Sequence, residues 1–233
     1  RSEGAYGDGR RPNTVRFESQ PALDARRRDF TVNGLLQDPL SGEVLDYVGG
    51  KADLDAKMIR AIGNPERRFE EDHLRMLRAV RFAARLGFSI EDETFSAIQR
   101  AASCIVKISA ERIREELIRI LVEGAARRGF ELLDFSGLLA QVAPEIKAYQ
   151  GVAQPPEYHP EGDVWTHVML MLERMCAPVP TLALGVLFHD AGKPATFRIA
   201  ERIRFDGHAE VGASIARDWL GRLRFPNDDV EQV

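Results

Sequence analysis

The helical part of the chain begins at residue 64 with the stretch NPERRFEEDHLRMLRAVRFAARLG, which ends at residue 87. Asn64 is a favoured N-cap and Pro65 a favoured first helical residue. An apolar stripe follows at Leu77, Val80 and Ala84. Gly87 is a favoured helix stop, so the stretch predicts one helix that ends there.

Within this predicted helix, Asp72 and Arg75 are three residues apart, a spacing at which both side chains leave the same face. A carboxylate only accepts hydrogen bonds and a guanidinium only donates them. Cytosine and adenine both present an amino donor beside a bare ring nitrogen, whereas uracil and guanine present a carbonyl beside a ring N–H. We hypothesise that the pair selects C and A, the alternative being an ordinary surface ion pair.

The segments around this helix predict a mostly α fold with a small α+β remnant. Strands are predicted before residue 62, at 14–17 and 43–48, with a helix at 24–37. Further helices are predicted at 91–103, 109–121 and 125–135, and short helices with short loops favour a packed bundle. Gly and Pro crowd into residues 150–160 and indicate a boundary. The expected divisions are 1–62, 63–150 and 151–233.

Composition is typical of a globular protein, with 44% hydrophobic and 29% charged residues. No apolar run approaches the roughly 20 residues of a membrane span, so no membrane partner is expected. Cys104 and Cys176 are far apart in sequence, which favours buried free thiols in a reducing cytoplasm. The net charge is −4, but arginines concentrate near residues 10–28 and 60–85, where guanidinium groups suit phosphates and base edges.

Four segments, in this order, carry a resemblance to class II nucleotidyltransferases, the family of CCA-adding tRNA nucleotidyltransferases and bacterial poly(A) polymerases. They are DGRRP (8–12), RRRDFTVN (26–33), DPLSG (38–42, followed by Asp46 and Gly49-Gly50) and EDHLRMLR (71–78). The resemblance implies the C-terminal half of a nucleotidyltransferase head at 1–62, followed by a helical neck and body at 63–150 that binds nucleotide and RNA.

The resemblance also implies roles for individual residues. Arg27, Arg28 and Asp29 would hold the triphosphate and ribose, and Asp72 and Arg75 would read the base. Arg78 would reach the triphosphate, and Arg68 the RNA backbone. Asp8 and Arg11 would belong to a flexible loop that is tied, in the family, to switching from C to A addition.

The same family opens with a Gly-Gly turn, an Arg-Asp and an Asp-x-Asp pair that holds catalytic magnesium, and none of these occurs in this sequence. We therefore expect the chain to be a fragment with no catalytic residues of its own. The Mg²⁺ ligands of the head would be mostly missing. By itself, such a polypeptide is expected to bind nucleotide weakly and to add none.

A second constellation lies in residues 151–233, which resemble an all-α HD domain. His167 is near the start of a predicted helix, His189-Asp190 ends an apolar run, and His208 opens a further helix. In HD domains an early His, an adjacent His-Asp and a later Asp bind a divalent metal, and imidazole and carboxylate suit such an ion. Asp228 and Asp229 come too early for the last ligand, so the domain is expected to be truncated. His159, which precedes Pro160, is expected to have a loop role, with a peripheral metal ligand as the alternative.

These features predict a template-independent RNA nucleotidyltransferase that adds C and A to tRNA 3′ ends from CTP and ATP. Poly(A) polymerase of the same family, and enzymes that add only A or only CC, are close alternatives. An HD-type metal-dependent phosphohydrolase and a non-catalytic RNA-binding fragment are alternatives of other classes. The oligomeric state is left open by the sequence.

Overall fold

The computed structural model describes residues 2–3, 15–16 and 20–233. Strands β1 (Ser2–Glu3) and β2 (Val15–Arg16) pair antiparallel, which places a short strand within the predicted 14–17. The predicted loop residues Asp8 and Arg11 lie outside the described residues. The mostly α character is confirmed, since the strands of the described part are two residues long and the helices are many.

The first part of the fold is built from short elements joined by turns. The predicted helix 24–37 is wrong: the helix ends at Arg26, because Thr31 and Ile62 donate backbone hydrogen bonds to Arg60 and Asp29, which ties the following segment to residues 60–62. The elements are α1 (Pro21–Arg26), a 3₁₀ turn (Thr31–Asn33), β3 (Leu36–Gln37), β4 (Val44–Leu45), α2 (Gly50–Asp55) and β5 (Met58–Ile59).

The predicted strand 43–48 shrinks to β4, which pairs antiparallel with β3. The strand stops because the Asp46 carboxylate accepts hydrogen bonds from the backbone N–H groups of four residues, at 2.9–3.1 Å: Val48, Gly49, Gly50 and Lys51. These bonds, that from Lys51 foremost, lower the pKa of Asp46 although partial desolvation opposes them. The carboxylate therefore closes the turn that leads into α2.

The second part is helical. The Asn64 side chain caps its helix by accepting from Arg67 N at 3.0 Å, and Gly87 ends the next one with φ 66°, both as predicted. Strand β6 pairs parallel with β5. The elements are α3 (Pro65–Glu71), α4 (Leu74–Leu86), β6 (Ser89–Ile90), α5 (Asp92–Ala101), a 3₁₀ turn (Ala102–Lys107), α6 (Ala110–Val122), α7 (Ala126–Phe135), α8 (Leu139–Val142) and α9 (Pro144–Lys147).

A third part follows an extended segment of turns. The apolar run that ends at His189 is helical, and a helix opens at His208, as expected. Its elements are α10 (Val164–Arg174), α11 (Pro180–Phe188), α12 (Lys193–Thr196), the antiparallel hairpin of β7 (Arg198–Ile199) and β8 (Ile203–Arg204), α13 (His208–Arg222) and α14 (Asn227–Gln232).

The second and third parts share one hydrophobic core. Helix α10 packs against α7, and α11 packs against α6. Two buried hydrogen bonds cross the junction, from Trp219 Nε1 to the Val142 carbonyl at 3.0 Å and from the Tyr149 hydroxyl to the Leu187 carbonyl at 2.9 Å. Buried donors with partners of this kind fix the relative placement of the packed helices.

The expectation that both cysteines are buried is wrong. Cys176 is exposed and Cys104 is half-buried, and both are free thiols. Cys176 follows the end of α10 in a turn, where the chain passes over the surface rather than through the core. Among the described residues, no helix combines the length and apolarity needed to cross a bilayer.

A buried ion pair joins α4 to α6. Arg81 Nε donates to Glu116 Oε2 at 2.7 Å, and the two residues are only 5% and 3% exposed. Arg81 also reaches Glu123 at 3.2 Å and stacks on the Phe82 ring at 4.4 Å. Because both charges are removed from water, each needs the other to offset its desolvation.

Replacement of Arg81 by Met should destabilise the protein by about 3–5 kcal/mol, because the buried Glu116 loses its 2.7 Å partner and keeps only the more distant guanidinium groups of Arg78 and Arg119, at 3.9 and 3.8 Å. Arg85→Met is the matched control, since Arg85 also pairs with Glu123 but is exposed, and it should cost at most about 1 kcal/mol. Denaturant unfolding measures both. Restoration of much of the stability by adding Glu116→Leu to Arg81→Met would support the assignment, whereas equal effects of the two single changes would contradict it.

Candidate nucleotide and metal sites

The first candidate site is centred on Asp29, at the start of the second motif. Asp29 is buried, and its Oδ1 accepts from Phe30 N at 2.9 Å and from Asn33 Nδ2 at 3.1 Å. Its Oδ2 lies 2.6 Å from Arg78 Nη2 on α4. The structure therefore brings together the aspartate and the arginine that were predicted to bind ribose and triphosphate, which are 49 residues apart in sequence.

Two neighbouring arginines have their guanidinium groups at the surface. Arg27 and Arg28 both pair with Asp24, at 3.0 and 3.3 Å, and each exposes at least a third of its side chain. Arg28 also donates to the Asn33 carbonyl at 2.9 Å. Such partly exposed guanidinium groups are available to phosphate oxygens, which Arg binds with its planar fork.

Arg68, which was expected to contact the RNA backbone, is used internally. Its Nε donates to the Ile62 carbonyl at 2.8 Å, and its Nη2 contacts the Arg26 carbonyl. Its Nη1 also pairs with Glu71 at 3.0 Å. These contacts connect α3 to the end of α1, and they hold the first part of the fold against the second.

The prediction that Asp72 and Arg75 share one continuous helix is wrong. Asp72 is extended (φ −156°, ψ 102°) and lies between α3 and α4, where its Oδ1 accepts from Leu74 N at 3.1 Å. A carboxylate that satisfies the free N–H groups of a new helix makes a break favourable. Asp is favoured at helix starts, and its presence at position 72 was the signal in the sequence for this break.

Asp72 and Arg75 also bond to other groups rather than to each other. Asp72 Oδ2 lies 2.7 Å from Arg112 Nη2 on α6. Arg75 Nη1 donates to Glu71 Oε2 at 2.6 Å and to the Arg68 carbonyl at 2.9 Å. The side chains of Asp72 and Arg75 are 28% and 17% exposed and therefore half-buried. The expectation that a base-reading pair faces solvent in the empty site is wrong.

The second candidate site brings together His167 of α10 and the His189-Asp190 pair at the end of α11. His189 Nε2 lies 3.2 Å, and His167 Nε2 4.0 Å, from Asp190 Oδ2. The three ligand atoms lie within 4.8 Å of one another. Asp190 Oδ2 is buried and lacks a hydrogen bond of normal geometry among the described residues. Two imidazoles around such an oxygen fit a divalent metal ion.

Hydrogen bonds orient the imidazole of His189, and nearby charges shift the pKa values of His189 and Asp190. His189 Nδ1 lies 2.8 Å from the Val186 carbonyl, which leaves Nε2 to face Asp190. Burial acts to raise the pKa of Asp190, but His189 and Lys193 outweigh it and lower that pKa to about 2. Burial acts to lower the pKa of His189, and its contact with Asp190 raises it overall. Lys193 Nζ is 2.8 Å from Asp190 Oδ2 and 2.5 Å from Gln154 Oε1.

His208 is not a member of the metal-sized groups found among the described residues. Its Nδ1 lies 2.8 Å from the Phe205 carbonyl. Its backbone carbonyl meets Gly192, where an added Cβ would lie 2.0 Å from it. His208 therefore opens α13 beside the turn that follows Asp190, and its role as a ligand stays a prediction.

His159 and Glu161 join the cluster instead. They lie in the segment before α10, and with His167 they form a second group of ligand-type atoms within 4.8 Å of one another. The loop role was the favoured prediction for His159 and a peripheral ligand the alternative, whereas Glu161 was not predicted. The available signal was two ligand-type residues, two positions apart, directly before the helix that carries His167.

Three family models match the chain in order. They describe a poly(A) polymerase head domain at residues 1–60, a probable RNA- and SrmB-binding site of polymerase A at 87–150 and an HD domain at 164–233. The head, the RNA-binding region and the HD unit together define a nucleotidyltransferase of the poly(A) polymerase type.

Known relatives agree with this assignment. A multifunctional CCA protein of Halorhodospira halophila is 40% identical over 211 residues, which cover 87% of this chain and 49% of the relative. A CCA-adding enzyme of Bacillus subtilis is 46% identical over 133 residues, which cover 57% of this chain and 33% of the relative. The Bacillus stearothermophilus CCA-adding enzyme in complex with CTP is 26% identical with TM-score 0.52, covering 91% of this chain and 60% of that one.

The chain belongs to the class II nucleotidyltransferases, the family of CCA-adding tRNA nucleotidyltransferases and bacterial poly(A) polymerases. It spans about half the length of these and other curated relatives that it matches. The fold of a Thermotoga maritima CCA-adding enzyme complexed with tRNA is also similar, with TM-score 0.58 and 20% identity over 92% of this chain and 47% of that one.

Gly192→Ala should destabilise the protein by about 1–3 kcal/mol, because the new Cβ would collide with the His208 carbonyl, which is backbone and cannot rotate away. Gly221→Ala is the control. Gly221 lies on an exposed face of α13 with no atom near its missing Cβ, so alanine should be neutral or stabilise by up to about 1 kcal/mol. Thermal unfolding compares the two, and similar midpoints would contradict the close packing of α13.

Proposed function

We propose that the chain is part of a template-independent RNA nucleotidyltransferase that adds C and A to tRNA 3′ ends from CTP and ATP. The RNA 3′-hydroxyl would attack the α-phosphate, and pyrophosphate would leave. The observation that carries the proposal is the placement of Asp72 just before α4 and of Arg75 in its first turn, one turn before the Arg78 that pairs with Asp29. The proposed divisions are a head at 1–62, a neck and body at 63–150 and an HD domain at 151–233.

Base selection is assigned to Asp72 and Arg75. Asp72 would accept from the amino group of C or A, and Arg75 would donate to the adjacent ring nitrogen. In the free protein, Arg112 contacts one Asp72 oxygen and Glu71 contacts Arg75. These contacts fix both side chains before the nucleotide arrives, so less side-chain entropy is lost on binding.

Phosphate and ribose contacts are assigned to the group around Asp29. Arg27 and Arg28 would pair phosphate oxygens, since their guanidinium groups are partly exposed. Arg78 would approach the triphosphate from α4, and the buried Asp29 would accept from a ribose hydroxyl. A hydroxyl contact of this kind distinguishes ribonucleotides from deoxyribonucleotides. Poly(A) polymerase activity would use the same residues, and the nucleotide assay below separates the two activities.

A second candidate function is metal-dependent phosphohydrolysis in the HD domain. It is favoured by the cluster of His167, His189 and Asp190 around one buried oxygen. These three residues would hold a divalent ion, which supplies an acidified water molecule and neutralises phosphate charge when bound. His208 would contribute only if it moves closer to the cluster, because it is not among the ligand-type residues that gather there in the described structure. Its Nδ1 faces the Phe205 carbonyl, which leaves Nε2 as the atom that would bind.

Asp72→Ala and Arg75→Ala in the full-length protein should reduce the preference for CTP and ATP over UTP and GTP by about 5- to 150-fold, which corresponds to about 1–3 kcal/mol per misread base. The assay measures incorporation of each nucleotide separately into tRNA that lacks its 3′ end. Glu70→Gln is the control, because Glu70 is exposed in the same segment. Unchanged selectivity in both alanine variants would contradict the assignment, and long A-only products from the wild type would favour poly(A) polymerase.

His189→Ala should abolish binding of Mn²⁺ or Ni²⁺ at the HD site and any metal-dependent phosphodiesterase activity, while nucleotide addition by the full-length protein continues. The reason is that the change removes one of two imidazoles beside Asp190. His208→Ala is the comparison, and it should retain the metal. Elemental analysis and hydrolysis of a phosphodiester substrate measure the outcome. Equal metal content in wild type and His189→Ala would contradict the site.

A further inference from the structure

The segment before α10 is anchored beside the HD cluster. Asp163 caps α10 by accepting from Thr166 N at 2.9 Å and from its hydroxyl at 2.6 Å, and its other oxygen accepts from Gly151 N at 2.8 Å. Ala153 and Asp163 form a β-bridge. Glu161 is therefore held two residues before Asp163, the N-cap of the helix that carries His167.

Glu161 contacts two imidazoles with the same oxygen. His167 Nδ1 lies 2.5 Å and His159 Nδ1 3.2 Å from Glu161 Oε1, and the two rings meet edge to face with centroids 4.7 Å apart. Glu161 could in principle be a metal ligand in its own right, or a partner that orients His167. The separations of the atoms distinguish the two roles.

Metal bonds of about 2.0–2.2 Å place neighbouring ligands of one ion about 2.8–3.6 Å apart. The His189–Asp190 separation of 3.2 Å falls within this range, and His167 Nε2, 4.0 Å from Asp190 Oδ2, would move slightly closer to share an ion with it. The His167–Glu161 separation of 2.5 Å is too short for two ligands of one ion and is that of a short charge-assisted hydrogen bond. An ionised carboxylate only accepts, so the proton of this bond belongs to His167 Nδ1.

We propose that Glu161 is a positioning residue for the HD metal site: it accepts a hydrogen bond from His167 Nδ1–H and so directs the lone pair of His167 Nε2 toward Asp190. The inference rests on the metal site proposed above. The Val186 carbonyl orients His189 in the same way, through its contact with His189 Nδ1. Both imidazoles then present Nε2 to the same oxygen, and each is held in the required tautomer by the acceptor at its Nδ1.

His159 has a supporting part in this arrangement. Its ring packs against that of His167 and contacts the Glu161 oxygen that His167 uses. This contact limits the rotation of the Glu161 carboxylate. A neighbouring acid, Asp163, cannot replace Glu161, because one of its oxygens accepts the cap hydrogen bonds and the other accepts from the Gly151 amide.

The test uses the full-length protein and three variants: Glu161→Ala, Glu161→Gln and Glu157→Gln. Affinity for Mn²⁺ and Co²⁺ is measured by chelator competition, and the Co²⁺ visible spectrum reports ligand geometry. Glu161→Ala should weaken binding about 10- to 100-fold with the stoichiometry unchanged. Glu161→Gln keeps a neutral acceptor and should lose less. Glu157→Gln changes an exposed glutamate of the same segment and should match the wild type.

A second measurement needs no metal. Long-range ¹H–¹⁵N spectra of the metal-free protein should show His167 protonated on Nδ1 in the wild type and redistributed toward Nε2–H in Glu161→Ala. Wild-type binding that Glu161→Ala leaves unchanged would overturn the positioning role alone. A change from two bound ions to one would overturn it in favour of Glu161 as a ligand. Absence of wild-type binding would overturn the metal site as well, so the two failures are distinguishable.

Discussion

The fold depends on the buried ion pair between Arg81 and Glu116, which joins α4 to α6. Two opposite charges that are excluded from water tolerate little displacement, since any shift leaves desolvated charge without its partner. Glu116 also lies 3.9 Å from Arg78, one turn earlier on α4. Arg78 in turn contacts Asp29. One row of arginines therefore connects α6 to the first part of the chain, and the position of Asp29 against α4 follows from the pair.

The proposed base-reading residues are also held by partners from other parts of the chain. Asp72 lies in a break between two helices and Arg75 in the first turn of the second, rather than on one continuous helix face, and the side chain of each is held by a group from outside the pair. A nucleotide must therefore share or displace existing hydrogen bonds. The net binding free energy that the nucleotide gains from these hydrogen bonds is modest, because they replace bonds that the free protein already makes. Selectivity then arises from the pattern of donors and acceptors, since a mismatched base leaves a buried group unpaired.

The sequence predicted features that are determined by near neighbours. The Asn64 cap and the Gly87 stop depend on residues at most four positions away, and both were confirmed. The end of the first helix at Arg26 was missed because the backbone beyond it bonds to residues 60–62. The contact of Arg112 with Asp72 was not predicted for the same reason, since the two residues are 40 positions apart. Glu161 was missed, and a loop role was favoured for His159, because the place of both residues in the cluster depends on a turn that folds them onto His167.

Lys193 places a further constraint on the HD cluster. Its Nζ lies 2.8 Å from the Asp190 oxygen that His167 and His189 face, and it is buried between Asp190 and Gln154. A divalent ion at that oxygen meets an ammonium group already in place, so the two cations repel each other in a region with little water. The Lys193 ammonium group would then hydrogen-bond mainly to the second Asp190 oxygen or to the Gln154 carbonyl. The orientation of the imidazoles by Glu161 and Val186 acts in the opposite direction, because it keeps both Nε2 lone pairs aimed at the ion and offsets part of that repulsion.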